Sequence, residues 1–189
     1  MSILTRKLPE GIVIEGRFYP VYTDFKNWLK ISEILEEERH ITPSVLSRIF
    51  ALSYKILPET ADEAFSGVLR FLSCGKKTEE KEEGGRNKSR IFSFGEDAEL
   101  IYAAFFSQYG IDLYKASMHW FLFCALFSSL EERHKLFEVI NIRAAKLTDI
   151  KDKQKRAYFA KMKRKYSLKD RRTEEEMSED IAKSMEAGF

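Results

Sequence analysis

The chain has 189 residues and a mass of 22.1 kDa, enough for one domain or for one domain with tails. Hydrophobic residues make up 44%, which excludes a disordered chain, and charged residues make up 33%. The 32 basic and 30 acidic residues leave a net charge of +2, so no global field calls for nucleic acid or a membrane surface.

The first predicted element is a β-hairpin. Gly11-Ile-Val-Ile14 and Arg17-Phe-Tyr-Pro-Val-Tyr22 are β-rich runs separated by Glu15-Gly16, a two-residue turn containing glycine. Pro20 puts the second strand at an edge or ends it early. The rest of the chain has helical periodicity. Asp24 is a predicted N-cap for a helix with Phe25, Trp28, Ile31 and Leu35 on one face. Thr42-Pro43 opens a second helix with a stripe of Val45, Ile49, Leu52 and Ile56, stopped by Pro58. Thr60 and Glu63 have capping-box spacing ahead of a third, through Phe65, Val68, Leu69 and Leu72, which stops near Gly75.

Residues 75–90 contain no apolar side chain. Such a segment cannot bury enough surface to offset its ordering entropy, and it is predicted to be a flexible charged linker or loop. It divides an N-terminal part, 1–74, from a C-terminal helical part, 91–168. These are either two domains or one domain with a long loop.

Ser93 and Glu96 repeat the capping-box spacing before Ala98, Ile101, Phe105 and Gln108, and Gly110 closes that helix. Asp112 is a predicted cap for the helix carrying Trp120-Phe-Leu-Phe123, which is apolar nearly all round and so expected at the centre. Ser129 and Glu132 form another capping-box pair, ahead of Phe137, Ile140, Ala144 and Leu147. Residues 169–189 are predicted to be a mobile tail whose thin stripe of Met177, Ile181 and Met185 orders only on a partner. The expected architecture is mainly α, a bundle of about six or seven helices with a short N-terminal β-hairpin. Trp28, Phe50, Phe105, Trp120, Phe123 and Phe137 are the expected core.

Chemical signatures are sparse. His40, His119 and His134 have no ligand spacing to each other or to Cys74 and Cys124, so no metal site is expected. His119 fits a satisfied core or boundary position, and His40 and His134 fit solvated ones. Gly84-Gly85 lacks the pattern of a phosphate loop, and there is no G-x-S-x-G elbow. The expectation is a protein without catalysis or cofactor. Both cysteines are expected as thiols, and Met1 to Glu10 has no apolar core of a signal peptide. The most apolar stretch, Met118 to Phe127, is ten residues long, whereas a membrane-spanning helix needs about twenty.

One local feature departs from neutrality. Residues 151–172 hold eleven basic side chains and two acidic ones. Tyr158 or Phe159, Met162 and Tyr166 form a stripe that can dock, leaving lysine and arginine outward. Lys153, Arg156, Lys161, Lys163, Arg164 and Lys165 are the candidate interaction surface, for an acidic protein or nucleic acid. No zinc-finger, RRM or KH signature supports nucleic acid, which is the weaker of the two.

The segments Asp97-Ala-Glu-Leu-Ile-Tyr-Ala-Ala-Phe-Phe-Ser-Gln-Tyr-Gly-Ile-Asp-Leu113, Met118-His-Trp-Phe-Leu-Phe-Cys-Ala-Leu-Phe127, Asp149-Ile-Lys-Asp-Lys153 and Tyr158 to Tyr166 follow one another in order. Together with Leu4 to Pro9 and Asp24 to Leu29, they resemble the bacteriophage gene product 15 family of tailed phages and prophages of Gram-positive bacteria. The resemblance implies a late tail-region protein, often taken for a tail-assembly chaperone, and it carries no catalytic residues. Phage tail proteins, the tape-measure protein first, are the implied partners, with self-association among copies and no membrane. The implied location is the host bacterial cytoplasm, or the virion if the protein is a structural tail component.

Overall fold

The N-terminal hairpin forms because two consecutive residues accept a left-handed backbone. Glu15 has φ 47° and Gly16 φ 80°, the pair of positive values that suits a tight two-residue turn. Strands β1 (Gly11–Ile14) and β2 (Arg17–Pro20) pair antiparallel, with Ile12 opposite Tyr19 and Ile14 opposite Arg17. Ile12, Ile14 and Tyr19 point into the core, while Val13 and Phe18 face out. β2 ends at Pro20, whose missing N–H costs the hairpin no bond, since the Val21 amide still donates to Glu10 O at 3.0 Å. The computed structural model describes Thr5, residues 7–75 and residues 90–169. The predicted linker and tail lie almost wholly outside these.

Seven α-helices follow among the described residues: α1 (Phe25–Glu37), α2 (Pro43–Ser53), α3 (Ala61–Leu72), α4 (Ala98–Tyr109), α5 (Trp120–Ser128), α6 (Lys135–Ala144) and α7 (Lys153–Lys165). The protein is thus mainly α with a short hairpin. Local signals set several ends. Asp24 accepts from the Lys26 amide at 3.0 Å, Thr42 from Val45 at 3.3 Å, and Asp152 from Lys155 at 2.6 Å. Gly110 closes α4 with φ 67°.

Other ends differ from the sequence reading. α2 stops at Ser53, and Ile56 is exposed. The chain leaves the helix there because Val21 and Tyr54 pair as an isolated bridge, with the Tyr22 amide on Ser53 O at 2.8 Å and the Lys55 amide on Pro20 O at 2.9 Å. Thr60 makes no side-chain cap. Asp112 caps only a turn, accepting from the Tyr114 amide at 3.1 Å. The next helix begins at Trp120, capped by His119. Ser129 terminates α5, and α6 is preceded by His134, so the Ser129–Glu132 pair starts no helix.

One core joins both sides of the 75–90 segment. It runs from Ile12 and Ile14 through Trp28, Ile49, Val68 and Phe71 to Phe105, Trp120, Phe123 and Leu136. Phe123 stacks on Phe25 (4.9 Å between centroids) and Phe105 (5.2 Å), and Trp28 stacks on Phe71 (4.4 Å). The Trp120 indole N–H donates to Leu72 O at 3.0 Å. Five of the six expected core residues are buried. Phe137 is only half-buried, because α6 turns Leu136, Val139 and Ile142 inward instead. α5 is less central than its composition suggests, since only Trp120 and Phe123 are fully buried.

A close approach brings α3 against the hairpin. A Cβ on Gly67 would lie 2.7 Å from Tyr54 Oη and 2.9 Å from Ile12 Cγ2. Tyr54 is itself fixed, its hydroxyl donating to Ala64 O at 2.8 Å, and burial pushes that phenol up to about 12. Gly67→Ala should therefore carry an overpacking cost of about 1–3 kcal/mol and leave the protein less stable. That outweighs the gain of roughly 1 kcal/mol in helix propensity. Urea unfolding of the two proteins checks the sign.

Candidate interaction surfaces

α7 carries the charge the sequence singled out. No residue of α7 is fully buried; Phe159, Met162 and Tyr166 after it are half-buried and face the body, and Tyr158 points out at 54% exposure. Of the six candidate residues, Lys153, Arg156, Lys161, Arg164 and Lys165 are exposed. Lys163 turns inward. Its ammonium donates to Arg143 O and Ala145 O, both at 2.7 Å, and so satisfies orphan carbonyls at the end of α6. Five of the six thus form a cationic face, and the sixth fastens the helix that carries it.

The fastening continues into a buried ion pair. Arg143 donates to Asp97 through two nitrogens, at 2.7 and 2.9 Å, with side-chain exposures of 9% and 1%. Arg143 Nε also donates to Tyr166 O at 2.6 Å, and Asp97 Oδ2 accepts from the Ser93 amide at 3.1 Å. Nearby, Glu96 accepts from Arg90 at 2.6 Å and from the Lys169 amide at 2.8 Å. One guanidinium therefore ties α4, α6 and the end of α7 together. Sequence reasoning did not find it. The available signal was Arg143 itself, the one cation in Val139-Ile-Asn-Ile-Arg-Ala-Ala145.

Two histidines are structural groups. His119 Nδ1 accepts from the Phe121 amide at 3.1 Å, and Nε2 lies 2.9 Å from Pro9 O. The proton therefore sits on Nε2, and the ring joins the chain before β1 to the start of α5. His134 is not solvated as expected; it lies 2.8 Å from Gln108 Oε1, which also accepts from the Glu131 amide at 2.9 Å.

Two apolar clefts open at the surface. The larger, about 960 Å³, lies between β1, the end of α3 and α5. Ile12, Val13, Phe71, Phe121 and Ala125 line it, with the cations Lys7 and Arg70. Both cysteines also line it, and neither is in a disulfide. The smaller, about 540 Å³, lies between α1 and α4. Phe25, Leu29, Phe94, Ile101 and Phe123 supply its apolar surface, and Glu33, Glu99 and Lys26 its charges. Lys26 is committed to Tyr114 O at 2.9 Å. Burial, then the neighbouring Glu37 and Glu36, hold the Glu33 carboxyl above the usual range. Among the described residues no cluster of His, Cys, Asp and Glu could hold a metal ion, and no helix is long and apolar enough to cross a membrane.

These features define a mainly α protein whose distinctive parts are surfaces: two apolar clefts and a cationic helix face. The chain belongs to the Bacteriophage Gp15 protein family, whose model matches residues 4–168, and it is a phage protein. No curated protein and no solved structure matches it.

Proposed function

We propose that the protein is a non-enzymatic factor of phage tail assembly, a chaperone that holds the tape-measure protein until the tail tube forms around it. The observation that carries this reading is the cleft between β1, α3 and α5. An apolar floor bounded by two helices and a hairpin suits the apolar face of a client helix, and Lys7 and Arg70 suit acidic residues flanking that face. Family membership supplies the phage setting. The non-enzymatic part is supported by what the buried and half-buried polar groups already do: Asp97 is taken by Arg143, His119 by Pro9 and Phe121, and His134 by Gln108.

A chaperone leaves its client when assembly ends. Mass spectrometry of infected-cell lysate and of purified particles should find the protein abundant in the first and absent from the second. Presence in particles at a fixed ratio to tube subunits would make it a structural tail component instead.

A further inference from the structure

We propose that the protein self-associates head to tail, with the exposed face of α7 of one copy seated in the cleft between α1 and α4 of the next. This inference is independent of the tape-measure reading, because it uses other surfaces and needs no client.

The two surfaces are complementary in charge, and each is partly aromatic. On α7, Tyr158, Lys161 and Lys165 recur at i, i+3 and i+7 and so share one face, with Lys155 one turn earlier. Tyr158 is 54% exposed, a large ring set among cations. Lys155 and Lys161 make no ion pair among the described residues. α7 is held on α6 through Lys163 and Tyr166, so the Tyr158–Lys161 face is offered outward to another molecule. The cleft presents the converse: an apolar aromatic floor with the carboxylates of Glu33 and Glu99. Burial, then Glu37 and Glu36, disfavour the Glu33 carboxylate, with Lys30 opposing them, and an incoming ammonium stabilises it further. The stacked rings of Tyr102 and Phe106, 38% and 55% exposed, extend the aromatic surface beyond the cleft. Tyr158 would enter the floor, and the flanking lysines would meet Glu33 and Glu99.

Because the two patches differ, the contact is heterologous. It propagates into chains or rings instead of closing as a twofold dimer. A chain of copies is also the form in which a small protein covers a long client.

Two variants of the full chain test this. The first, Glu33→Lys with Glu99→Lys, alters the cleft. The second, Tyr158→Ser with Lys161→Gln and Lys165→Gln, alters three exposed residues of the helix face, of which Tyr158 meets Phe159 and Lys165 meets Tyr166. Light scattering after nuclease treatment should show wild-type mass rising with concentration and falling with added salt. Each variant alone should stay monomeric, with self-affinity weakened by roughly tenfold or more. An equimolar mixture should give a dimer and nothing larger, because only one intact cleft and one intact α7 face remain. Thermal melts confirm that both variants fold; if the cleft variant does not, the α7 variant alone must still abolish association and must still cap the growth of wild-type chains. Wild type that stays monomeric at high concentration, variants that associate as wild type does, or oligomers that vanish with nuclease would each overturn the proposal. The last outcome would make α7 a nucleic-acid surface.

Discussion

Arg143→Ala should lower the stability of the protein by about 3–5 kcal/mol, the usual cost of removing one partner from a buried ion pair. The substitution leaves Asp97, 1% exposed, with its charge and, among the described residues, only the Ser93 amide to hold it. It also frees Tyr166 O and removes one of the two side chains that tie α6 to α7, leaving Lys163 on the carbonyls at the end of α6. For a domain stable by about 5–15 kcal/mol this is a large fraction. The loss should be uneven, because α7 buries no residue fully and depends on these polar ties. Amide exchange should therefore speed up first in 153–166, under conditions where α1 and α5 remain protected. Replacing both partners with apolar residues, Asp97→Leu with Arg143→Met, should recover part of the loss, since no buried charge is then left alone. An Arg143→Ala protein with native stability and a protected α7 would show that the pair is not the anchor.

Phe123→Ala should cost about as much, 3–5 kcal/mol on the usual scale for a large aromatic residue in a core. Phe123 is fully buried, and its ring lies 4.9 Å from Phe25, 5.2 Å from Phe105 and 5.6 Å from Trp120 between centroids. Truncation removes these contacts together and leaves a void beneath the cleft between α1 and α4, which Phe123 also lines. The effect should be global: protection falls in α1, α4 and α5 at once, without the selective opening of α7. Phe123→Leu keeps most of the volume and should cost much less, about 1.5 kcal/mol or less. Urea unfolding of the three proteins gives the ranking. Equal stability of the alanine variant and the wild type would mean that the aromatic cluster is not the keystone of the core.

The sequence shows the hairpin and most helices because their signals are local. Glu15-Gly16 dictates the turn, and Asp24, Thr42 and Gly110 set helix ends through groups within a few residues. It misleads where a short pattern has a competitor elsewhere in the chain. Asp112 has the chemistry of a cap, but its side chain closes a turn while the segment after it pairs with the chain before α1: the Trp120 amide donates to Thr23 O at 2.8 Å and the Phe25 amide to Met118 O at 3.0 Å. Helix faces are off by about one position in α3 and α6. Large apolar residues such as Leu69 and Phe137 drew the stripe, whereas α3 buries the small Ala64 and Gly67 to let the hairpin approach. The exposed basic face was legible as a run of like charge. Which lysine turns inward was not, because Lys163 answers to carbonyls about twenty positions away. The clefts were invisible for the same reason. Each is built from segments far apart in sequence, and its apolar lining is indistinguishable, residue by residue, from core.

The most direct test of the chaperone reading is co-expression of the tagged protein with the tape-measure protein of the same phage, followed by capture and light scattering. Wild type should retain the tape-measure protein with many copies per client. Val13→Glu with Arg70→Glu, two exposed positions lining the larger cleft, should fold and lose it. Wild type that captures nothing while the tape-measure protein is present in the same lysate would contradict the account.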